Sequence, residues 1–139
     1  MANHYHNTIK NFLLELGFEI CYEEATKNIL LVNKPELGIR HLVLSCGEPL
    51  LIMEQHLLDL PGPSCEVYQQ LLQKNRDIIH GAFVLDASGR KVIFRDTMQL
   101  EHLTRPALEA VLNSLSLLLI EFGDELIAFS KPGSASSHE

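Results

Sequence analysis

The segment that most limits how this chain can fold lies toward its C-terminal end. Leu108, Leu112, Leu115, Leu119, Phe122 and Leu126 recur at helical spacing. Thr104 stands at the N-cap position, and Arg105-Pro106 fall in the first turn. Gly123 is expected to end or weaken the helix. A long helix with one apolar stripe needs a broad surface to cover it, and the rest of the chain reads as that surface.

Residues 18 to 60 read as strands. Phe18–Tyr22 precedes a polar turn over Glu23-Glu24-Ala25-Thr26-Lys27, and Asn28–Val32 is a short apolar run. A loop with Pro35 and Gly38 leads to Ile39–Leu44, a third strand. Leu50–Leu57 suits a fourth strand, although Met53, Glu54 and Gln55 also favour helix. After the Leu60-Pro61-Gly62-Pro63 break, Ser64 caps a second helix with Val67, Leu71, Leu72, Asn75 and Ile78 on one face. Ala82–Leu85 and Lys91–Phe94 form a hairpin around Asp86-Ala87-Ser88-Gly89-Arg90. Ahead of all this, Tyr5, Ile9, Phe12, Leu13 and Leu16 mark a first helix, with Asn3 as its N-cap and Gly17 at its end. The order is α-βββ(β)-α-ββ-α. It predicts an α+β fold, an antiparallel sheet with helices packed on it. One domain is expected over 1–131, with a disordered tail over 132–139.

Composition narrows the function. Hydrophobic residues are 46% of 139, enough for one real core. Eleven basic against 18 acidic residues give a net charge of −7, which disfavours nucleic acid and acidic membrane surfaces as partners. No targeting segment is visible at the polar N-terminus, and Leu115–Ile120 is far short of the roughly 20 residues of a membrane helix. Cys21, Cys46 and Cys65 are expected to be reduced thiols without a chemical role, in a cytoplasmic protein.

Catalytic and metal motifs are missing. There is no phosphate-cradling loop, no GxSxG and no HExxH in the sequence, so an enzyme is not expected. Cys65, in the first turn of a helix, is the best nucleophile candidate, but it has no sequence-linked His and reads as a packing residue. His4 and His6 read as solvent-facing, and His41 and His56 as strand residues rather than ligands. Asp86 and Asp96, flanking the hairpin, suit turn chemistry. Between Arg40 and Lys74 lie Glu48, Glu54, Asp59 and Glu66 with no Lys or Arg. With Leu50, Leu51, Ile52, Met53, Leu57 and Leu58 beside them, they form an acidic, apolar stretch suited either to a basic peptide or to an ordinary solvated face over a core.

Several stretches of the second half resemble a known superfamily. They are Leu71-Leu72-Gln73-Lys74-Asn75, Gly81-Ala82-Phe83-Val84-Leu85-Asp86, Gly89-Arg90-Lys91-Val92-Ile93-Phe94-Arg95, and Leu100-Glu101-His102-Leu103-Thr104 before the long helix. Together they look like the type III secretion chaperone and YbjN-like superfamily over roughly residues 64 to 127. The apolar stretch Leu50–Leu58 is longer than the connection expected in such chaperones. The resemblance implies a small acidic bacterial homodimer that holds an extended segment of a partner or effector protein, without ATP or cofactor. The alternative it implies is a YbjN-like regulatory or scaffold domain.

Two surfaces are expected on this basis. Ile9, Phe12, Leu13 and Leu16 of the first helix, with Leu30, Val32, Leu42 and Leu44 of the strands, are expected to line a peptide groove. The second helix, around Val67, Leu71 and Ile78, is the expected dimer interface.

Overall fold

A computed structural model describes residues 2–132; from residue 133 on, the expected disordered tail lies outside the described residues. Helix α1 (Ala2–Glu15) leads into four strands, β1 (Glu19–Glu24), β2 (Ile29–Lys34), β3 (Ile39–Gly47) and β4 (Leu50–Asp59). Helix α2 (Cys65–Asn75), strands β5 (Ala82–Leu85) and β6 (Lys91–Gln99), and helix α3 (Arg105–Phe129) complete the chain. All six strands form one antiparallel sheet in the order β1-β2-β3-β4-β6-β5. The α+β expectation holds, and the open question about Leu50–Leu57 resolves as a strand. Burial of Leu51, Met53 and Gln55 at alternate positions outweighs the local helix preference.

Local chemistry sets the ends of the elements. The Ser64 hydroxyl accepts the Val67 amide at 3.2 Å, and Thr104 accepts that of Ala107 at 3.1 Å, capping α2 and α3 as expected. Gly17, at φ +87°, stops α1 in the left-handed region, where a side chain is costly. Gly81 also has positive φ (+82°), and a Cβ there would run into the Phe94 ring. The hairpin turn is held by Asp86, which accepts from Ser88 at 2.7 Å and from the Lys91 amide at 3.1 Å.

Four expectations need correction. α1 begins at Ala2, so Asn3 lies inside it rather than capping it. β1 continues through Glu24, because Glu23 and Glu24 pair with Leu30 and Ile29. β6 runs five residues past Phe94 to Gln99, so Asp96 sits within a strand, opposite Met53, not at a turn. Gly123 is inside α3, which continues to Phe129 because Leu126 and Phe129 are still buried beyond it.

The core lies between the helices and one face of the sheet. Leu30, Leu44, Met53 and Asp96 form one row across four strands. Onto this face pack Ile9 and Leu13 of α1, Val67 and Leu71 of α2, and Leu108, Leu112 and Leu115 of α3. Phe83 and Phe122 meet edge to face at 6.0 Å, joining β5 to α3. Each such side chain contributes about 1.5–3 kcal/mol relative to exposure.

Candidate functional site

Among the described residues nothing covers the other face of the sheet. Cross-strand partners lie on the same face, so the register defines a second row: Tyr22, Leu31, Val43, Glu54, Arg95 and Ala82, one residue per strand. None of these six is buried, and Tyr22 is 52% exposed. Ile52 and Ile93 flank the row on the same face, and both are only half-buried. Strands that alternated polar and apolar would leave this face polar. Here neighbours such as Leu30–Leu31, Val43–Leu44 and Leu51–Ile52 are apolar on both sides. At one margin β1 is an edge strand. The opposite margin is β5.

Charge on this face is balanced. Arg95 donates to Glu54 at 2.9 Å across β4 and β6. Asp59 accepts from His56 at 2.9 Å and lies 3.5 Å from Lys91, and these contacts, His56 foremost, hold its carboxyl below the ordinary range. The acidic stretch expected from sequence is therefore partly neutralised by cations more than thirty residues away in sequence. Of its apolar members, Leu51, Met53 and Leu58 belong to the core.

The eight residues expected to line a groove divide. Ile9, Leu13, Leu30, Val32, Leu42 and Leu44 are buried in the core with exposures of 0–1%. They form its wall, because both α1 and the inward strand positions close on them. Phe12 and Leu16 remain half-buried. In α2, Val67 and Leu71 also face the core, while Ile78 lies beyond the end of the helix. The outward residue of α2 is Leu72. Periodicity places Ile9, Leu13, Val67 and Leu71 toward the sheet, whereas Leu72, expected on the same face of α2 as Leu71, is 70% exposed on the outer side.

The titratable candidates are structural in placement. His6 is a correction: it is 2% exposed, not solvent-facing, and its Nε2 lies 2.7 Å from Glu23. Lys10 donates to the same carboxylate at 2.7 Å; Lys10 first and then His6 hold Glu23 below the usual carboxylate range. Burial raises Asp96, whose Oδ1 accepts from the Thr97 amide at 2.8 Å while its Oδ2 has no partner. Burial also pushes the Cys46 thiol up to about 11; Cys21 and Cys65 are exposed. His4 is exposed, and His41 adopts φ +52°, its amide bound by Asn33 at 2.6 Å. Among the described residues no group of three His, Cys, Asp or Glu is placed to hold a metal, and no helix is long and apolar enough to cross a membrane.

Comparison with known proteins agrees with this architecture. A family model described as CesT_Tir_1 matches residues 1–132. No curated protein matches the chain. Among solved structures, YbjN from E. coli superposes with a TM-score of 0.66 at 13% identity, covering 86% of this chain and 92% of its own. The Yersinia pestis type III secretion chaperone SycH, in complex with a stable fragment of YscM2, gives 0.59 at 21% identity, covering 91% and 99%. The HopA1–SchA chaperone–effector complex gives 0.62 at 14% identity, covering 94% and 96%.

Proposed function

Because the chain belongs to the CesT_Tir_1 family of type III chaperones, we propose that it is a non-catalytic binding domain that holds an extended segment of a partner protein. The observation that carries this reading is the uncovered apolar row Tyr22–Leu31–Val43, which ends at an edge strand. A segment laid along β1 gains backbone hydrogen bonds at the edge and buries alternate side chains on the open face. The segment stays extended because its apolar groups are spent on this surface rather than on a core of their own. The buried six of the original groove set support the surface from behind. Binding of this kind needs no cofactor, and the domain works in the cytoplasm as a homodimer.

The test is affinity capture from the source cells with wild type and with Val43→Lys, followed by binding measurements on the identified partner and its excised segment. Val43 lies opposite Glu54, so the lysine is accommodated in the fold. The expected result is a partner segment that is unstructured when free, binds wild type and is lost with Val43→Lys. A partner that binds only as a folded domain, or is indifferent to this change, would overturn the reading.

A further inference from the structure

Strands β3 and β4 part before they end. Their pairing runs from Gly47–Leu50 to Val43–Glu54 and stops there, although β3 begins at Ile39 and β4 continues to Asp59. Just beyond, the register of β4 with β6 shifts between His56 and Leu58, an irregularity of the kind found beside sites. The C-terminal half of α3 supplies the facing wall, and the opening holds a groove of about 330 Å³.

The groove joins apolar walls to two polar side chains. Leu58 of β4 and Leu119 and Leu126 of α3 line it, and so do Gln55 and Arg40. Gln55 is 5% exposed, in an inward row whose earlier members are Leu51 and Met53. Its Oε1 accepts the Arg40 amide at 3.3 Å, bridging the parted strands. Its Nε2 carries two hydrogens, and its acceptor among the described residues is the Gly38 carbonyl at 3.5 Å, the outer limit of a hydrogen bond. A buried amide hydrogen without an acceptor is costly, so this donor calls for one. Arg95, Arg105 and Lys91 are held by Glu54, Glu15 and Asp59, whereas the Arg40 guanidinium has no carboxylate partner among the described residues.

Gly123 borders the same groove. Glycine weakens a helix interior, and a Cβ here would meet nothing within 4 Å, so packing within the fold does not demand it. An occupant of the groove does, because a side chain on this wall would take up its space.

These features select the occupant. A buried amide donor beside an unpaired guanidinium fits a carboxylate, and the leucine walls fit an aliphatic chain. At roughly 30 Å³ for each non-hydrogen atom the groove takes about ten, a carboxylate of about eight carbons. We propose that this groove binds a small aliphatic carboxylate, its chain between Leu58 and α3 and its carboxylate on Gln55 Nε2 and Arg40. The groove lies on the helix-covered side of the sheet, so it is distinct from the open row that holds a partner segment.

Heteronuclear NMR of the full chain, titrated with sodium octanoate, tests it. The expected result is a saturable shift of the Gln55 side-chain amide and the Gly123 backbone amide, with a midpoint at about a millimolar or below. Octylammonium, of equal length and opposite charge, offers Gln55 and Arg40 no acceptor and is expected to bind more weakly by about tenfold or more. Arg40→Gln is expected to weaken octanoate binding about tenfold in an otherwise unchanged spectrum. Gly123→Leu is expected to raise the melting temperature and to remove the shifts, because its side chain occupies the groove. Equal affinity for octanoate and octylammonium, or shifts that do not saturate, would overturn the proposal. So would wild-type affinity in Arg40→Gln or in a folded Gly123→Leu chain.

Discussion

Leu44 and Val43 are neighbours in β3, but they live in different environments. Leu44 points into a closed core, with Leu30 and Met53 beside it and α1 above. Val43 points to the open face, between Leu31 and Glu54. The residues are chemically alike, and the difference comes from what lies over them. Three helices share one side of the sheet, and nothing in the described chain lies over the other. An apolar side chain on the closed side contributes to folding; on the open side its burial is left for another molecule.

Substitutions on the two faces should separate sharply. The largest effect is expected for Leu44→Asp, which buries an unpaired charge and should cost about 4 kcal/mol or more, enough to unfold a domain this size; chemical denaturation reads it. Next is Gly81→Ala, on the closed side, where a positive φ and the Phe94 ring both oppose a Cβ. A loss of about 1–3 kcal/mol is expected, with the denaturant midpoint as the measure. Smaller still is Val43→Lys, expected to change stability by about 1 kcal/mol or less while removing partner binding. A Val43→Lys protein that unfolds as readily as Leu44→Asp would abolish the distinction between the faces.

The smallest effects concern two carboxylates at the ends of the same inward row, Glu23 opposite Leu30 and Asp96 opposite Met53. Glu23 is lowered by Lys10 and His6. Its contribution is therefore present above the ordinary glutamate value of about 4.3 and is lost as pH falls through the lower folded value. Asp96 is raised by burial, so its ionisation opposes folding. That penalty is absent below the ordinary aspartate value of about 3.9 and grows as pH rises through the higher folded value. Glu23→Gln should flatten the acid limb of a stability–pH curve, and Asp96→Asn should raise stability near neutral pH. Identical acid limbs for Glu23→Gln and wild type would show that the network adds nothing.

The sequence was legible where local chemistry decides. Ser64, Thr104 and Gly17 marked helix ends that the structure keeps, and the Asp86–Arg90 turn closes as expected. It was less legible where a third party decides. Periodicity found the stripe Ile9–Leu13–Leu16 but not what covers it, because a buried stripe and a groove have the same spacing. The extension of β6 through Arg95-Asp96-Thr97-Met98-Gln99 was hidden by polar residues, which are tolerated because alternate positions face the open side. His6 was misplaced because its partner, Glu23, is brought to it only by the packing of α1 on β1. The exposed Leu117, Ile120 and Ile127 of α3 form a second aliphatic set, out of phase with the buried one, that periodicity alone does not separate from it.

The sheet's two margins carry a further consequence, for how the protein behaves at high concentration. β1 bears Glu19, Glu23 and Glu24, whereas β5, Ala82-Phe83-Val84-Leu85, has no charge. The acidic β1 edges of two copies repel one another, whereas an uncharged edge needs another guard. At β5 the Asn75 side chain does that work: its amide donates to the Phe83 carbonyl at 3.0 Å and its oxygen accepts the Phe83 N–H at 2.8 Å, so the backbone groups an added strand would need are already taken. Asn75→Ala should hasten turbidity in concentrated samples by freeing the Phe83 backbone groups, and Val84→Lys added to it should reverse the effect. A molecule so built guards one margin with charge and the other with a single amide, and its shelf life is set by that amide.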